Sequence, residues 1–308
     1  MSYQFAERVR IVEVGPRDGL QNEAHTVSVK DRVALIERLA MAGLSSIEAG
    51  SFVSPRWVPQ MAGTAEVFAR LQRRSGTSYT VLVPNRQGFE AAVAAGVREV
   101  AVFTSASESF AQRNTNCSIT KSLARFEPVC DAASAAGMRV RGYVSCVLGC
   151  PYEGAVAVAA VVEVATRLAA LGCYEVSLGD TIGIGTPGKA QAMLTAVAGS
   201  MPMEQLAVHF HDTCGQALAN VLACLEAGVS VVDSAVSGLG GCPYAVGASG
   251  NLATEDLVYM LNGLGIESGV DIDGVVEAGT FISGVLGRLP GSKLALARRV
   301  DARIGLVR

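Results

Sequence analysis

Short apolar, β-branched runs alternate along this chain with longer stretches in which apolar residues recur every three or four positions. The first run, 9–15, ends in the turn signal Gly15-Pro16. The helix that follows starts at Ser28, repeats Val33, Leu35, Ile36, Leu39 and Ala40 on one face, and closes at Gly43. The unit then recurs. Strands are expected at 45–51, 78–84, 99–105, 139–146, 175–180, 206–212 and 231–237. Helices are expected at 63–74, 87–95, 121–136, 156–171, 189–198, 217–227 and from Thr254 onward. The polar stretch 106–118 reads as a long loop, and 272–304 as a C-terminal helical addition.

Parallel strands need helical crossovers, so eight strands alternating with eight helices predict an α/β fold, the (β/α)8 TIM barrel. An open doubly wound sheet is the second architecture, but no Gly-x-Gly-x-x-Gly follows the first strand. The chain is read as one catalytic unit over 1–308, with the barrel at about 9–265 and a C-terminal helical extension at about 266–308.

Composition narrows the functional class. Half the residues are hydrophobic, 17% are charged and 34 are Gly, which predicts a large core with many tight loops. A net charge of -3 leaves no basic footprint for nucleic acid. A mean hydropathy of +0.36 raises the question of a membrane. The longest apolar stretch, 155–171, is broken by Glu163 and Arg167, so no spanning segment is expected. The first strand starts within about ten residues, which leaves no room for a signal peptide and predicts a cytoplasmic protein. The eight Cys form no Cys-x-x-Cys pair, and most of them read as reduced and structural.

The chain has three His, and two of them are His209 and His211. On a strand over 206–212, Ala207, His209 and His211 share one face, so two imidazoles converge. Neutral imidazole is the commonest metal ligand, and a hydrogen-bonded core pair is the plainer alternative. Barrels of this type place chemistry at the C-terminal ends of the strands. There stand Arg17 and Asp18 after the first strand, Glu48 late in the second, Asp180 ending the sixth, and Cys242 and Asn251 after the eighth. Singly these are a turn residue, a helix cap or a surface ion-pair partner. Together, Asp18, His209, His211 and the Asn251 amide oxygen make a mixed nitrogen and oxygen donor set. It suits Mg²⁺ or Mn²⁺ when octahedral, and two imidazoles would also accept Zn²⁺, Co²⁺ or Fe²⁺. Arg17 could hold a substrate carbonyl oxygen and stabilise charge that develops on it. The Gly-rich segment 238–243 either turns a corner or hinges over the site, and near a cation the Cys242 thiol could shuttle a proton.

Several segments, in order along the chain, resemble the hydroxymethylglutaryl-CoA lyase family. They are Val14-Gly15-Pro16-Arg17-Asp18-Gly19-Leu20-Gln21-Asn22-Glu23, Ser51-Phe52-Val53-Ser54-Pro55, Trp57-Val58-Pro59-Gln60-Met61 and Leu178-Gly179-Asp180-Thr181-Ile182-Gly183. Gly240-Gly241-Cys242-Pro243-Tyr244 and Ala248-Ser249-Gly250-Asn251-Leu252-Ala253-Thr254-Glu255-Asp256 complete the set. The resemblance implies a divalent-metal-dependent retro-Claisen cleavage of 3-hydroxy-3-methylglutaryl-CoA to acetyl-CoA and acetoacetate, with leucine breakdown as the setting and a homodimer as the assembly. It implies Asp18, His209, His211 and Asn251 as metal-site residues, Arg17 as the substrate-binding group that stabilises the enolate, and Cys242 as the loop cysteine. Glu48 and Asp180 match supporting acids in proton transfer and site geometry.

Two positions depart from the family pattern. Ala24 stands where Lys is expected, which removes a contact to the CoA phosphates, and 303–308 carries no counterpart of the C-terminal cysteine of mitochondrial members. Relatives acting on longer branched acyl-CoA substrates share the framework. Claisen-condensing enzymes of the isopropylmalate or homocitrate synthase type share the metal-barrel logic, and the Gly-Gly-Cys-Pro-Tyr loop sets the lyases apart. A non-catalytic metal-binding barrel is the rival from another class; retention of both acids, the Arg and the Cys argues against it.

Overall fold

The eight apolar runs become the strands of a closed parallel barrel in the computed structural model, which describes the backbone of residues 5–242 and 245–304 and the side chains of 5–240 and 250–299. The strands are β1 (Arg10–Glu13), β2 (Ser46–Ser51), β3 (Ser78–Leu82), β4 (Glu99–Ser105), β5 (Arg139–Ser145), β6 (Glu175–Asp180), β7 (Leu206–Phe210) and β8 (Val231–Ser234). Each pairs with its neighbour in chain order, and Arg10–Glu13 of β1 closes the ring opposite Val231–Ser234 of β8. The crossovers carry α1 (Val29–Met41), α2 (Thr64–Arg70), α3 (Arg86–Ala94), α4 (Glu108–Thr115), α5 (Ile119–Ala135), α6 (Val158–Ala170), α7 (Pro187–Ala198) and α8 (Ala217–Glu226). After β8 come a short hairpin, β9 (Gly241–Cys242) and β10 (Ala245–Ser249), and then α9 (Thr254–Gly263), α10 (Ile272–Leu286) and α11 (Lys293–Ile304). The predicted TIM barrel and its helical C-terminal region are both present.

Strand alternation sorts the side chains into two layers. Val100, Val102, Val140, Val144, Val176, Leu178, Val208 and Val232 join the aliphatic layer between strands and helices. The alternate positions turn inward. Barrel lumens are ordinarily filled by branched aliphatics, yet this one is charged. Arg141 donates through Nε to Glu175 Oε1 at 2.6 Å, and through Nη1 and Nη2 to Asp233 at 3.0 and 2.7 Å. Arg10 also pairs with Glu175. Among the described residues, no helix is long and apolar enough to cross a membrane.

Several local readings change, among them the eighth strand, which stops at Ser234 rather than at 237. Within 106–118, expected as a loop, Ser107 accepts from Phe110 N–H and starts α4, which Asn116 ends in the left-handed region at φ 52°. Only Phe110 and Ala111 of this helix are buried, so there is little periodicity to register. The first strand stops at Glu13 rather than at 15, and Gly15–Gly19 wind into one π-type turn. The seventh strand stops at Phe210. His211 pairs instead with Asn251 in an isolated antiparallel bridge, flanked by Leu252 N–H to Phe210 O at 3.0 Å and Asp212 N–H to Gly250 O at 2.9 Å.

The C-terminal extension is fastened to the barrel by buried polar contacts. Asp256 of α9 accepts from Ser292 Oγ at 2.8 Å and from the Lys293 and Leu294 N–H groups at 3.0 and 2.9 Å, so it caps α11 from another helix. Asp256→Ala should therefore undock α11. A helix cap is worth about 0.5–2 kcal/mol, so a lowered melting temperature and early C-terminal cleavage in limited proteolysis are the expected result. An unchanged melting temperature and cleavage pattern would show that apolar packing alone holds the helix.

Candidate active site and metal centre

The π-type turn is the first part of the site. Gly19 N–H reaches back to Val14 O at 3.2 Å, which widens the turn and sets Arg17 and Asp18 side by side. Glu13 holds the turn in place. Its Oε1 accepts from Gly15 N–H at 2.8 Å and Val236 N–H at 2.9 Å, and its Oε2 accepts from Thr254 Oγ at 2.7 Å. Burial pushes the Glu13 carboxyl up to about 7, against the lowering pull of these donors. Arg17 donates through Nη1 to Asp18 Oδ1 at 2.6 Å and through Nε to Glu48 Oε2 at 2.7 Å.

Asp18, His209 and His211 offer donor atoms that all lie within 4.8 Å of one another. Asp18 Oδ2 is 3.8 Å from His209 Nε2 and 3.9 Å from His211 Nε2. Two donors bound about 2.1 Å from one ion lie about 3 to 4 Å apart, so the separation fits a common cation. His211 Nδ1 is buried without a hydrogen-bond partner. Asn251 joins the cluster through Nδ2, which is 2.9 Å from Asp18 Oδ2 and 3.1 Å from Leu239 O. In this orientation the amide donates to the carboxylate; offering Oδ1 to an ion requires it to turn over.

The electrostatics call for positive charge at this point. Burial alone would raise the Asp18 carboxyl, but Arg17, both imidazoles and the Asn251 amide hold it well below the usual range. Burial disfavours a proton on His209, yet Asp233 and Asp18 raise its pKa. His211 is pushed down to about 4 by burial and by His209, with Asp18 opposing. One imidazole is thus drawn toward carrying a proton while the other stays neutral, and a cation would meet the same demand. These donors fit a divalent metal ion.

Asp233 fixes the ring that faces it. His209 Nδ1 lies 3.3 Å from Asp233 Oδ2, which leaves Nε2 toward Asp18. Ser177 Oγ donates to the same Asp233 oxygen at 2.7 Å, and Arg141 grips both oxygens. Tyr143 lies between two guanidiniums, 5.5 Å from Arg17 and 4.9 Å from Arg141, with its ring edge-on to His209 at 6.4 Å. Its hydroxyl is buried without a partner. Asp233, Arg141 and Tyr143 escaped the sequence reading. A signal existed: each is a polar residue at an alternate position within an apolar strand.

The structure brings together six predicted residues: Arg17, Asp18, Glu48, His209, His211 and Asn251. Asp180 ends β6 as expected but hydrogen-bonds none of them among the described residues. Its Oδ2 accepts from Gly185 N–H at 2.8 Å and organises the following loop, while Oδ1 is buried without a partner. Burial raises its carboxyl pKa despite these backbone donors, and it is near enough to His209 to feel its charge. Glu48 Oε1 is likewise without a partner, and burial raises the Glu48 carboxyl pKa against the pull of Arg17. The backbone of Cys242 ends β9; its side chain lies outside the described residues.

The chain is similar to known proteins over most of its length. A mitochondrial hydroxymethylglutaryl-CoA lyase from Bos taurus is 60% identical over 293 residues, covering 95% of this chain and 90% of that protein. A 3-hydroxy-3-isohexenylglutaryl-CoA/hydroxymethylglutaryl-CoA lyase from Pseudomonas aeruginosa is 59% identical over 291 residues, covering 94% of this chain and 97% of that one. The crystal structure of a hydroxymethylglutaryl-CoA lyase from Pseudomonas aeruginosa superposes with a TM-score of 0.95 at 58% identity, over 96% of this chain and 99% of that chain. An HMG-CoA lyase from Acinetobacter baumannii, solved with coenzyme A and 3-methylmalate, superposes at 0.91 with 36% identity, over 96% of this chain and 97% of that one. The family profile described as HMGL-like matches residues 8–282, and the chain belongs to that family.

Proposed function

We propose that this protein cleaves 3-hydroxy-3-methylglutaryl-CoA into acetyl-CoA and acetoacetate. The observation that carries the reading is Arg17 joined to Asp18 where Asp18 meets the His209–His211 pair, so an electrophile and a cation site share one carboxylate. Asp18, His209 and His211, with Asn251 after its amide turns, would hold a divalent ion, magnesium or manganese. Bound there, the ion would polarise the tertiary hydroxyl of the substrate and make its proton easier to remove.

The protein's own groups supply the remaining chemistry. Arg17 faces the thioester oxygen and stabilises the enolate charge released as the carbon–carbon bond breaks. Glu48, Asp18 and the Tyr143 ring hold the guanidinium in advance, so little reorganisation is left for the reaction itself. Glu48 Oε1 and Asp180 Oδ1, both buried without partners, are the carboxylate oxygens with capacity to take a proton. Cys242, on the segment that follows Gly240, protonates the enolate carbon. The name of the Pseudomonas relative supports a second substrate class, acyl-CoA with a longer branch. The same reading carries a homodimer in a cytoplasmic setting, with extension and barrel acting as one unit; among the described residues the cysteines are free thiols.

Metal-stripped protein given 3-hydroxy-3-methylglutaryl-CoA should be inactive, and Mg²⁺ or Mn²⁺ should restore equimolar acetoacetate and acetyl-CoA. A folded, metal-loaded protein that yields neither product would sink the assignment, and turnover of a longer branched analogue alone would favour the second class. Arg17→Gln should lower kcat by about 10² to 10³, the usual cost of removing one preorganised donor, with metal content unchanged. Ordinary turnover in that variant would dismiss Arg17 as the enolate-stabilising group. Asp233→Asn should weaken metal binding by about 10- to 100-fold in a calorimetric titration, because His209 loses the acceptor that orients it. Equal affinity would mean that packing alone sets the ring.

A further inference from the structure

The C-terminal extension reaches the strand-end face at a point the scheme above does not use. Arg288, between α10 and α11, donates through Nη2 to Glu23 Oε1 at 2.7 Å. The same oxygen accepts the backbone N–H of Gly240 at 3.1 Å. Gln60 Nε2 donates to the Glu23 carbonyl at 3.1 Å, which steadies the acidic residue from a third segment. Gly240 is confined on its other side. It has φ +100°, a conformation that favours glycine, and a Cβ on Gly250 would stand 2.1 Å from its carbonyl oxygen. A Cβ on Gly240 itself would stand 3.2 Å from Asn251 Nδ2. The residue after Gly240 begins β9, which carries Cys242.

We propose that Glu23 and Arg288 are positioning residues that set the base of the Cys242 segment, with Glu23 holding the Gly240 N–H and Arg288 aiming the Glu23 carboxylate. The proposal rests on the reading of Cys242 as proton donor. A partly exposed ion pair contributes little by itself: the Glu23 side chain is 12% exposed and that of Arg288 32%. Nor does the extension depend on this pair for docking, since Asp256 caps α11 and Ser283 Oγ meets Ser237 Oγ at 2.7 Å. What the pair uniquely supplies is an acceptor, fixed in direction, for a backbone donor at the base of the loop.

The test uses the full chain with metal. Glu23→Ala should lower kcat about tenfold or more, the equivalent of one lost charge-assisted hydrogen bond, while KM and metal affinity stay within about twofold. Arg288→Ala should do the same to a smaller degree, and Arg288→Lys should keep most of the activity. The decisive variant is the exchange Glu23→Arg with Arg288→Glu. It restores the ion pair, but a guanidinium has no acceptor to offer Gly240 N–H. Its melting temperature should match that of the parent chain while kcat stays low. Recovery of kcat in the exchange would reduce the pair to a fastening and overturn the proposal, as would unchanged kcat in Glu23→Ala.

Loop position can be read without catalysis. In a Cys214→Ser background, which removes the exposed described thiol, the alkylation rate of Cys242 followed by mass spectrometry should change several-fold in Glu23→Ala. An unchanged rate would overturn the proposal. Full turnover by Cys242→Ser would instead refute the proton-donor reading, and the alkylation result would stand apart from it.

Discussion

Arg141 is the interaction on which the rest of the site depends. Its guanidinium spans the lumen from Glu175 on β6 to Asp233 on β8, with side chains 2% exposed or less at all three positions. Burying such charges is costly unless each is paired and hydrogen-bonded, and here every guanidinium nitrogen donates to a carboxylate. The consequence is directional. With both Asp233 oxygens held, His209 has one available acceptor and one ring orientation. From there the order passes outward through His209 to Asp18, and through Tyr143 to Arg17. The lumen thus replaces an aliphatic core with a relay that aims the strand-end chemistry.

A second constraint couples the loops to the outer shell. Ser237 sits at φ 60°, a left-handed conformation that costs energy for a residue with a side chain. Glu255 accepts its N–H, Ser283 meets its hydroxyl, and Gly291 N–H donates to its carbonyl at 2.8 Å. Ser283 and Gly291 both belong to the C-terminal extension. The strained turn after β8 is therefore held by α9 and the extension together. Burial raises the Glu255 carboxyl to about 8, despite the backbone donors that lower it. The extension that the sequence marked as helical decoration turns out to shape the segment leading to the Gly-rich loop.

The barrel was legible because its signals are local and repeated. Apolar runs, helical spacing and turn residues recur eight times, and each unit supports the others. The six clustered site residues were legible because a parallel barrel gathers strand ends, and the family-like segments around Arg17, Asp18 and Asn251 named the chemistry. The remainder depended on packing between distant segments. Asp233 is one acid in a strand and acquires meaning only from its register opposite His209. Arg141 looked like one more cation on a β-rich run, and nothing local says that two carboxylates 34 and 92 residues away would enclose it. The shortening of β7 at Phe210 was hidden for the same reason, since the partner that captures His211 lies in the loop after β8.

The division of the candidate metal donors follows from that topology. His209 comes from a barrel strand and is fixed by the lumen. His211 lies beyond the strand end and is held by its bridge to Asn251, while Asp18 stands on the π-type turn after β1. The rigid member sets the position, and the two loop members can adjust their distance to it. A cation joining all three would tie the π-type turn and the segment after β7 to the barrel. Because the unfolded chain cannot assemble that set, an ion bound there would add to the stability of the folded state. Arg17 rides on the same turn, bonded to Asp18 and Glu48. The candidate ion site and the guanidinium therefore share one carboxylate, and the turn that presents Asp18 to the His209–His211 pair also presents Arg17 beside it.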